Sequence, residues 1–442
     1  MKKIVIVGAV AGGATVASQI RYYDKDAQIV VFDQDDTMSY GACGMPYVIG
    51  GKISDPEHLI AATPDEFKTE RNIDVFLKHR VTKINRQLKS VEVLNLETQQ
   101  SFNESYDFLI LSPGGTPIVP ETPGIESATM FTLRNFNDMK KINHFLTTEK
   151  PKSCVIVGAG FIGVEMAENL VEIGLNVSIV EKSPQVMNIL DVDCSALVEK
   201  ELSDHGVRIF KDNFITNVND SKISLDSGET LEADFILMSI GVSPSTKLAK
   251  DAGLTIGDTG GIITNEFLQT NDSSIYTIGD AAENKDFITG DAKRVPLAWP
   301  AHRQAFIVAK HITGEQIPFK GLLGTAICKV FSLDVALTGL NEKTLKDSPF
   351  EFKTITQKSK SNAGYYPDHA KVYLKVHYDS VSRKVLGAQA VGGKGIDKRI
   401  DVISTAIYAG LTIEDLQALE LAYAPPYSSP KDPVNMVGYR AK

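Results

Sequence analysis

Cysteine is scarce in this chain of 442 residues: there are four, at positions 43, 154, 194 and 328, and no two share a CxxC or CxxxxC spacing. That excludes a disulfide-stapled scaffold and a dithiol of neighbouring residues. Unpaired thiols scattered in this way fit a reducing compartment, so the chain reads as cytoplasmic. Positive charge is also short. Lysines and arginines number 46 against 55 acids, a net charge of −9, which argues against a nucleic-acid partner. A polyanionic ligand would have to be met by backbone amides and a few chosen basic residues. No apolar run approaches the ~20 residues a spanning helix needs, so no membrane segment is expected. The opening "MKKIVIVGAVAGG" starts like a signal peptide, but glycines break its apolar part and an amphipathic pattern follows at once, so no leader is expected.

What is present is ordinary globular material, 43% hydrophobic and 23% charged, long enough for about two to four domains. "KIVIVG" is a short apolar run of the kind that forms a strand buried on both faces. A glycine turn follows, then "GATVASQIRYY" with helical periodicity, then the strand-like "QIVVFD". The plan recurs about 150 residues later in "CVIVGAGFIGVEMAENLVEIG" and "NVSIVEK", an internal duplication. Between the copies, "KSVEVLNLETQQSFNESYDFLILSPG" alternates like antiparallel strands and ends in a buried run closed by Pro113 and Gly114. "EADFILMSIGVSPST" closes the second copy similarly, and "SSIYTIGDAAE" supplies a strand ending at Gly279 and Asp280. From about residue 325 the texture changes to a hairpin, "AKVYLKVHYDSVSRKVLGAQAVG", and the amphipathic "DKRIDVISTAIYAGL".

The loops carry the chemistry. In "GAVAGGAT", Gly8, Gly12 and Gly13 permit a tight turn and let a pyrophosphate approach the helix N-terminus, while Asp33 ends the next strand where an acid can hold a ribose. A packing turn would explain this loop alone. The second copy, "GAGFIG", places Gly158, Gly160 and Gly163 as GxGxxG, with Glu181 at the following strand end, and two such units point to dinucleotide binding. Two nucleotide sites imply electron transfer between two cofactors, FAD at the first and NADH or NADPH at the second. Asp280 fits a ribityl or pyrophosphate contact, with a plain helix cap as the alternative. The expected architecture is α/β: two Rossmann-like dinucleotide-binding domains (FAD, residues 1–118 and 245–322; NAD(P), residues 119–244) and a C-terminal α+β dimerisation domain, residues 323–442. No metal ligand is expected.

Over essentially the whole chain these motifs, with "YDFLILSPG" and "YTIGDAAE", resemble the pyridine nucleotide-disulfide oxidoreductases. The single cysteine of "SYGACGMPY" is similar to the branch that includes NADH oxidase, NADH peroxidase and coenzyme A-disulfide reductase, and the resemblance places Cys43 against the flavin. If Gly44-Met45-Pro46 begins a helix, its amides and dipole favour the Cys43 thiolate. Oxidases and peroxidases of that branch carry a histidine in the first glycine loop, where this chain has Ala11, and "GAVAGGAT" is instead similar to the coenzyme A-disulfide reductases. So are "AGYYPDH" and "AYAPPYSSPKD", which imply that Tyr365 and Tyr423 reach the active cysteine from a partner subunit; Tyr366 and Tyr427 leave that assignment open.

The resemblance further implies substrate contacts from Thr15, Gln19 and Ser39, with His302 and Lys431 toward the CoA phosphates. Tyr22 stands where an arginine can meet a CoA phosphate, and Ala42 replaces an asparagine. Glu181 favours NADH over NADPH, a preference softened by Lys182. Because the sequence stops at Lys442, no rhodanese-like extension is expected. The function implied is a homodimeric flavoprotein that reduces CoA disulfide through a Cys43–S–S–CoA adduct. The rivals are reduction of CoA persulfide or polysulfide, oxygen reduction through a Cys43 sulfenic acid, and a flavin-bearing redox sensor.

Overall fold

The computed structural model describes residues 1–441. Its first sheet has five parallel strands in the order Ile275–Thr277, Phe108–Leu111, Lys3–Val7, Gln28–Phe32, Asp74–Phe76. The apolar run at its centre serves two cores, because successive side chains of a strand point to opposite faces. Ile4, Ile6, Ile29 and Val31 pack under helices Ala11–Tyr23 and Ala298–Ile312. Val5, Val30 and Phe32 face an antiparallel sheet of His79–Asn85, Ser90–Asn95 and Ser101–Ser105.

The second unit repeats the plan. Arg208–Phe210, Asn176–Val180, Ser153–Val157, Phe235–Met238 and Met130–Thr132 form its parallel sheet in that order. Helix Phe161–Glu172 covers the Cys154 and Ile156 face, and three short antiparallel strands cover the Val155 and Val157 face. Where the chain leaves and re-enters the first unit, Gly115–Pro117 pairs antiparallel with Val242–Pro244.

From Ala326 to Gly392 the chain builds a five-stranded antiparallel sheet. The expected hairpin, Lys371–Asp379 with Val385–Gly392, lies inside it, and Ile396, Ile400, Ile403 and Ile407 dock helix Ile396–Ala409 onto its face. Val330, Val335, Leu337 and Val391 of this sheet share a core with helix Phe161–Glu172 and with Met45, Val48 and Ile49 just after Cys43. All three parts of the chain therefore meet behind the cysteine.

Charge pins the same junction. Buried Lys375 reaches Asp191 (3.1 Å), Asp193 (2.7 Å) and Glu342 (2.6 Å), and His377 Nε2 lies 2.9 Å from Asp191. Side-chain atoms of Asp191, Glu342 and His377 lie within 4.8 Å of one another, a spacing that suits a cation, and the Lys375 ammonium supplies that charge. Burial tends to raise the Asp191 carboxyl, but the His377 hydrogen bond and the nearby positive charges outweigh it and hold it well below the usual carboxylate range. A depressed carboxylate contributes stability above its unfolded pKa and loses it as pH falls. Lys375→Met is therefore expected to cost about 3 kcal/mol at neutral pH, since it strands buried negative charge. Urea denaturation should show that deficit shrinking below pH ~4, where the carboxylates protonate; a deficit independent of pH would contradict the account.

Candidate active site

Both glycine loops open onto one cleft of about 3780 Å³, against the roughly 300–1,000 Å³ of an ordinary small-molecule pocket, which leaves room for two extended ligands. The glycines follow from close approach. Gly8 has φ +98°, and a Cβ there would lie 2.1 Å from the Ser112 carbonyl oxygen. A Cβ on Gly13 would lie 1.7 Å from the Gly8 oxygen, and one on Gly163 2.0 Å from the Gly158 oxygen, so each helix packs directly on its turn. Gly160, by contrast, has nothing within 4 Å of its Cβ position: the backbone there is bare toward the cleft. Helices Ala11–Tyr23 and Phe161–Glu172 have no acid in the first turn and no side-chain cap, which leaves their leading amides free for an anion.

Gly12 lines the cleft with Gly8 and has a packing part as well. The position equivalent to Gly160 is Val10, the N-cap of the first helix. Gly12 also makes room for Ser112 Oγ, 2.6 Å from its Cβ position, and for Ile278.

Asp33 and Glu181 do the same thing in the two units. Asp33 accepts from the Ala9 amide (2.6 Å) and the Asp35 amide (2.9 Å); Glu181 accepts from Ala159 (2.7 Å) and Ser183 (2.7 Å). Each acid braces its own glycine loop while lining the cleft where a ribose would lie. Burial pushes Asp33 up to about 6. Asp280 is not a helix cap: it sits in the turn Gly279–Ala281 and pairs with Arg134 Nη2 at 2.8 Å. Arg134 also donates to Gly115 O at 2.9 Å and crowds Gly114, whose φ is +68°. Beside them Arg294 Nε is buried with no partner in the chain, as is Asn213 Oδ1 on the wall near Glu181. These unanswered polar atoms, the bare amides and the paired acids fit FAD in the first unit and a nicotinamide dinucleotide in the second.

Cys43 lies in the turn Ala42–Gly44, which runs into helix Met45–Ile49. It is exposed on the cleft wall, whereas Cys154, Cys194 and Cys328 are buried. The helix is where the sequence suggests. The surrounding cleft wall desolvates Cys43 and the Glu165 carboxylate faces it, so its pKa is raised, with only its own backbone amide opposing. Helix Met45–Ile49 is short, and Pro46 removes one of its leading amides.

Glu165 had no signature in the sequence. Burial, then the charge of Glu168, push it up to about 7, while the Tyr47 hydroxyl donates to it at 3.4 Å. Glu165→Gln should therefore shift alkylation of Cys43 by iodoacetamide to lower pH, since the charge that disfavours the thiolate is gone. An unchanged pH profile would show that Glu165 does not act on the thiol.

The remaining residues fall into two groups. Thr15 Oγ1 lies 2.7 Å from His302 Nδ1, Gln19 follows one turn along the same helix, and Tyr22 is exposed near its end. Ser39, with φ +46°, donates to the Ala9 carbonyl and accepts from Ala61, linking the first loop to the segment before Cys43. The second group belongs to the C-terminal unit. Tyr365 and Tyr423 are 77% and 44% exposed with their hydroxyls 3.1 Å apart, and Lys431 Nζ sits 4.8 Å over the Tyr439 ring. Neither tyrosine lines the cleft that holds Cys43 of the same chain.

Two dinucleotide loops and one exposed thiol on a shared cleft define a nucleotide-dependent redox enzyme that works through sulfur. The chain belongs to the pyridine nucleotide-disulphide oxidoreductases: residues 2–305 match that family and residues 325–433 its dimerisation domain. It is 40% identical over 443 residues, 100% of both chains, to the coenzyme A disulfide reductase of Staphylococcus aureus (strain COL). Reduced Bacillus anthracis CoADR-RHD superimposes with a TM-score of 0.98 at 44% identity, covering 99% of this chain and 79% of that one. A NAD-dependent persulfide reductase from A. fulgidus gives a TM-score of 0.95 at 35% identity, covering 99% and 82%. Among the described residues, no helix is long and apolar enough to cross a membrane.

Proposed function

We propose that the enzyme reduces CoA disulfide with NAD(P)H, NADH being preferred because Glu181 disfavours a 2′-phosphate. The observation that carries this reading is that Cys43 is the one exposed thiol, on the wall of the cleft that both dinucleotide loops line. A disulfide reductase without a second accessible cysteine needs a small thiol as its partner. Full-length likeness to a coenzyme A disulfide reductase supports CoA as that thiol.

Residues 1–118 and 245–322 form the FAD unit in this scheme, residues 119–244 the NAD(P)H unit, and residues 323–442 the surface on which two copies pair. The first unit holds FAD by Gly8, Gly12, Gly13, Asp33, Gly114, Gly279 and Asp280. Gly158, Gly160, Gly163 and Glu181 hold the nicotinamide dinucleotide. When bound, the two cofactors supply the electron pair that reduces the enzyme's mixed disulfide.

The Cys43 thiolate attacks one sulfur of CoA disulfide; the S–S bond breaks, Cys43–S–S–CoA forms, and the first CoA leaves as thiolate. Two electrons then cleave the mixed disulfide, freeing the second CoA and restoring the Cys43 thiolate. Tyr365 and Tyr423 of a second copy protonate the departing sulfur, while Thr15, Gln19, Ser39, His302 and Lys431 hold CoA. Four free thiols suit such an enzyme to the cytoplasm.

Likeness to a persulfide reductase supports a second reading in which the same cysteine takes CoA persulfide. The test is steady-state NADH oxidation with CoA disulfide, CoA persulfide, glutathione disulfide and oxygen. The proposal expects CoA disulfide to lead, with kcat/KM at least ~100-fold above glutathione disulfide. A faster reaction with persulfide would transfer the assignment to the second reading.

A further inference from the structure

The two tyrosine loops are tied together by a side chain outside every motif. Arg399, on helix Ile396–Ala409, is the largest of the fully buried side chains. Its Nη2 donates to the Ser361 carbonyl at 2.8 Å, just before Tyr365. The same Nη2 and Nε grip both carboxylate oxygens of Asp432, at 3.0 and 3.2 Å, where the Tyr423 loop ends. Nη1 closes the set on Gly395 O at 2.8 Å. Ser428 Oγ donates to Asp432 at 2.6 Å from within that loop, and the Ala363 amide donates to the Pro425 carbonyl at 3.2 Å between the loops. At the tips, the Tyr365 and Tyr423 hydroxyls are 3.1 Å apart.

A buried ion pair contributes little net stability, because desolvation offsets most of its attraction. What a guanidinium provides is direction: its planar fork fixes several acceptors at once, which a lysine ammonium cannot reproduce. Here the acceptors are the roots of two loops whose tips meet hydroxyl to hydroxyl. We infer that Arg399 and Asp432 are positioning residues that set the register of the Tyr365–Tyr423 pair. This rests on the reading above, in which those phenols protonate the departing CoA sulfur.

Rapid-mixing kinetics on the flavin-loaded dimer separate the two half-reactions. Arg399→Lys should slow reoxidation by CoA disulfide by ~10–100-fold, as expected for phenols displaced by a fraction of an ångström to an ångström, and leave flavin reduction by NADH within about twofold. Ser428→Ala, which removes one hydrogen bond and no charge, should act in the same direction by ~3–5-fold, and it carries the test if the lysine variant does not fold. Added to Tyr365→Phe/Tyr423→Phe, either substitution should cost nothing further, because it acts through the phenols. Equal slowing of both half-reactions, or full additivity with the tyrosine changes, would overturn the inference by making the pair merely structural. A slowed tyrosine variant beside unslowed Arg399→Lys and Ser428→Ala would overturn the clip alone. A tyrosine variant as fast as the parent would overturn both the clip and the role proposed for the phenols.

Discussion

Replacing Cys43 by serine is expected to lower turnover with CoA disulfide by at least about 10³-fold while the protein stays yellow and its flavin is still reduced by NADH. A serine hydroxyl is a poor nucleophile toward sulfur at neutral pH and cannot form the mixed disulfide. No other thiol can substitute. Burial holds Cys194 and Cys328 far above the ordinary thiol pKa, and Cys154 likewise. Because Cys43 projects into the cleft and the residues after it do the packing, the exchange leaves Met45, Val48 and Ile49 in their core. Turnover with CoA disulfide within tenfold of the parent would refute thiol chemistry at this position.

The second large effect separates the two nucleotide sites. Gly163→Val should leave flavin bound but raise the KM for NADH by about 100-fold or more, because a Cβ 2.0 Å from a backbone carbonyl forces the helix off its turn. Gly13→Val makes the equivalent clash, at 1.7 Å, in the other unit and should yield colourless protein. Dithionite would still reduce the flavin of the Gly163 variant, which confines its defect to the nicotinamide side. A colourless Gly163 variant, or a yellow Gly13 variant, would reverse or abolish the assignment of the two loops.

Much of this arrangement was legible in the sequence, because close approach leaves a local signature. Where a helix must touch its own turn only glycine fits, and the spacing of Gly158 and Gly163 states that directly, while Gly160 between them leaves the backbone bare toward the cleft. Apolar runs such as "KIVIV" declare strands covered on both faces for the same kind of reason. The packing of Gly12 against Ser112 and Ile278 was not legible, because a glycine near a phosphate loop and a glycine beneath a neighbouring strand end look alike in one dimension.

Contacts between distant segments left no such trace. Arg134 meets Asp280 across 146 residues, and Arg399 is an ordinary charge on an amphipathic helix until the fold buries it beside Asp432. The raised pKa of Cys43 has the same origin. The cleft wall and Glu165, brought in by the second unit, raise it, and neither is visible in the sequence around Cys43.

A Cys43–S–S–CoA mixed disulfide is tested most directly by intact-mass and peptide-mass spectrometry of protein purified without reductant. The account predicts a single CoA adduct on the peptide containing Cys43, released as free CoA when NADH is added. A bare thiol that stays bare after incubation with CoA disulfide, or an adduct on another cysteine, would contradict it.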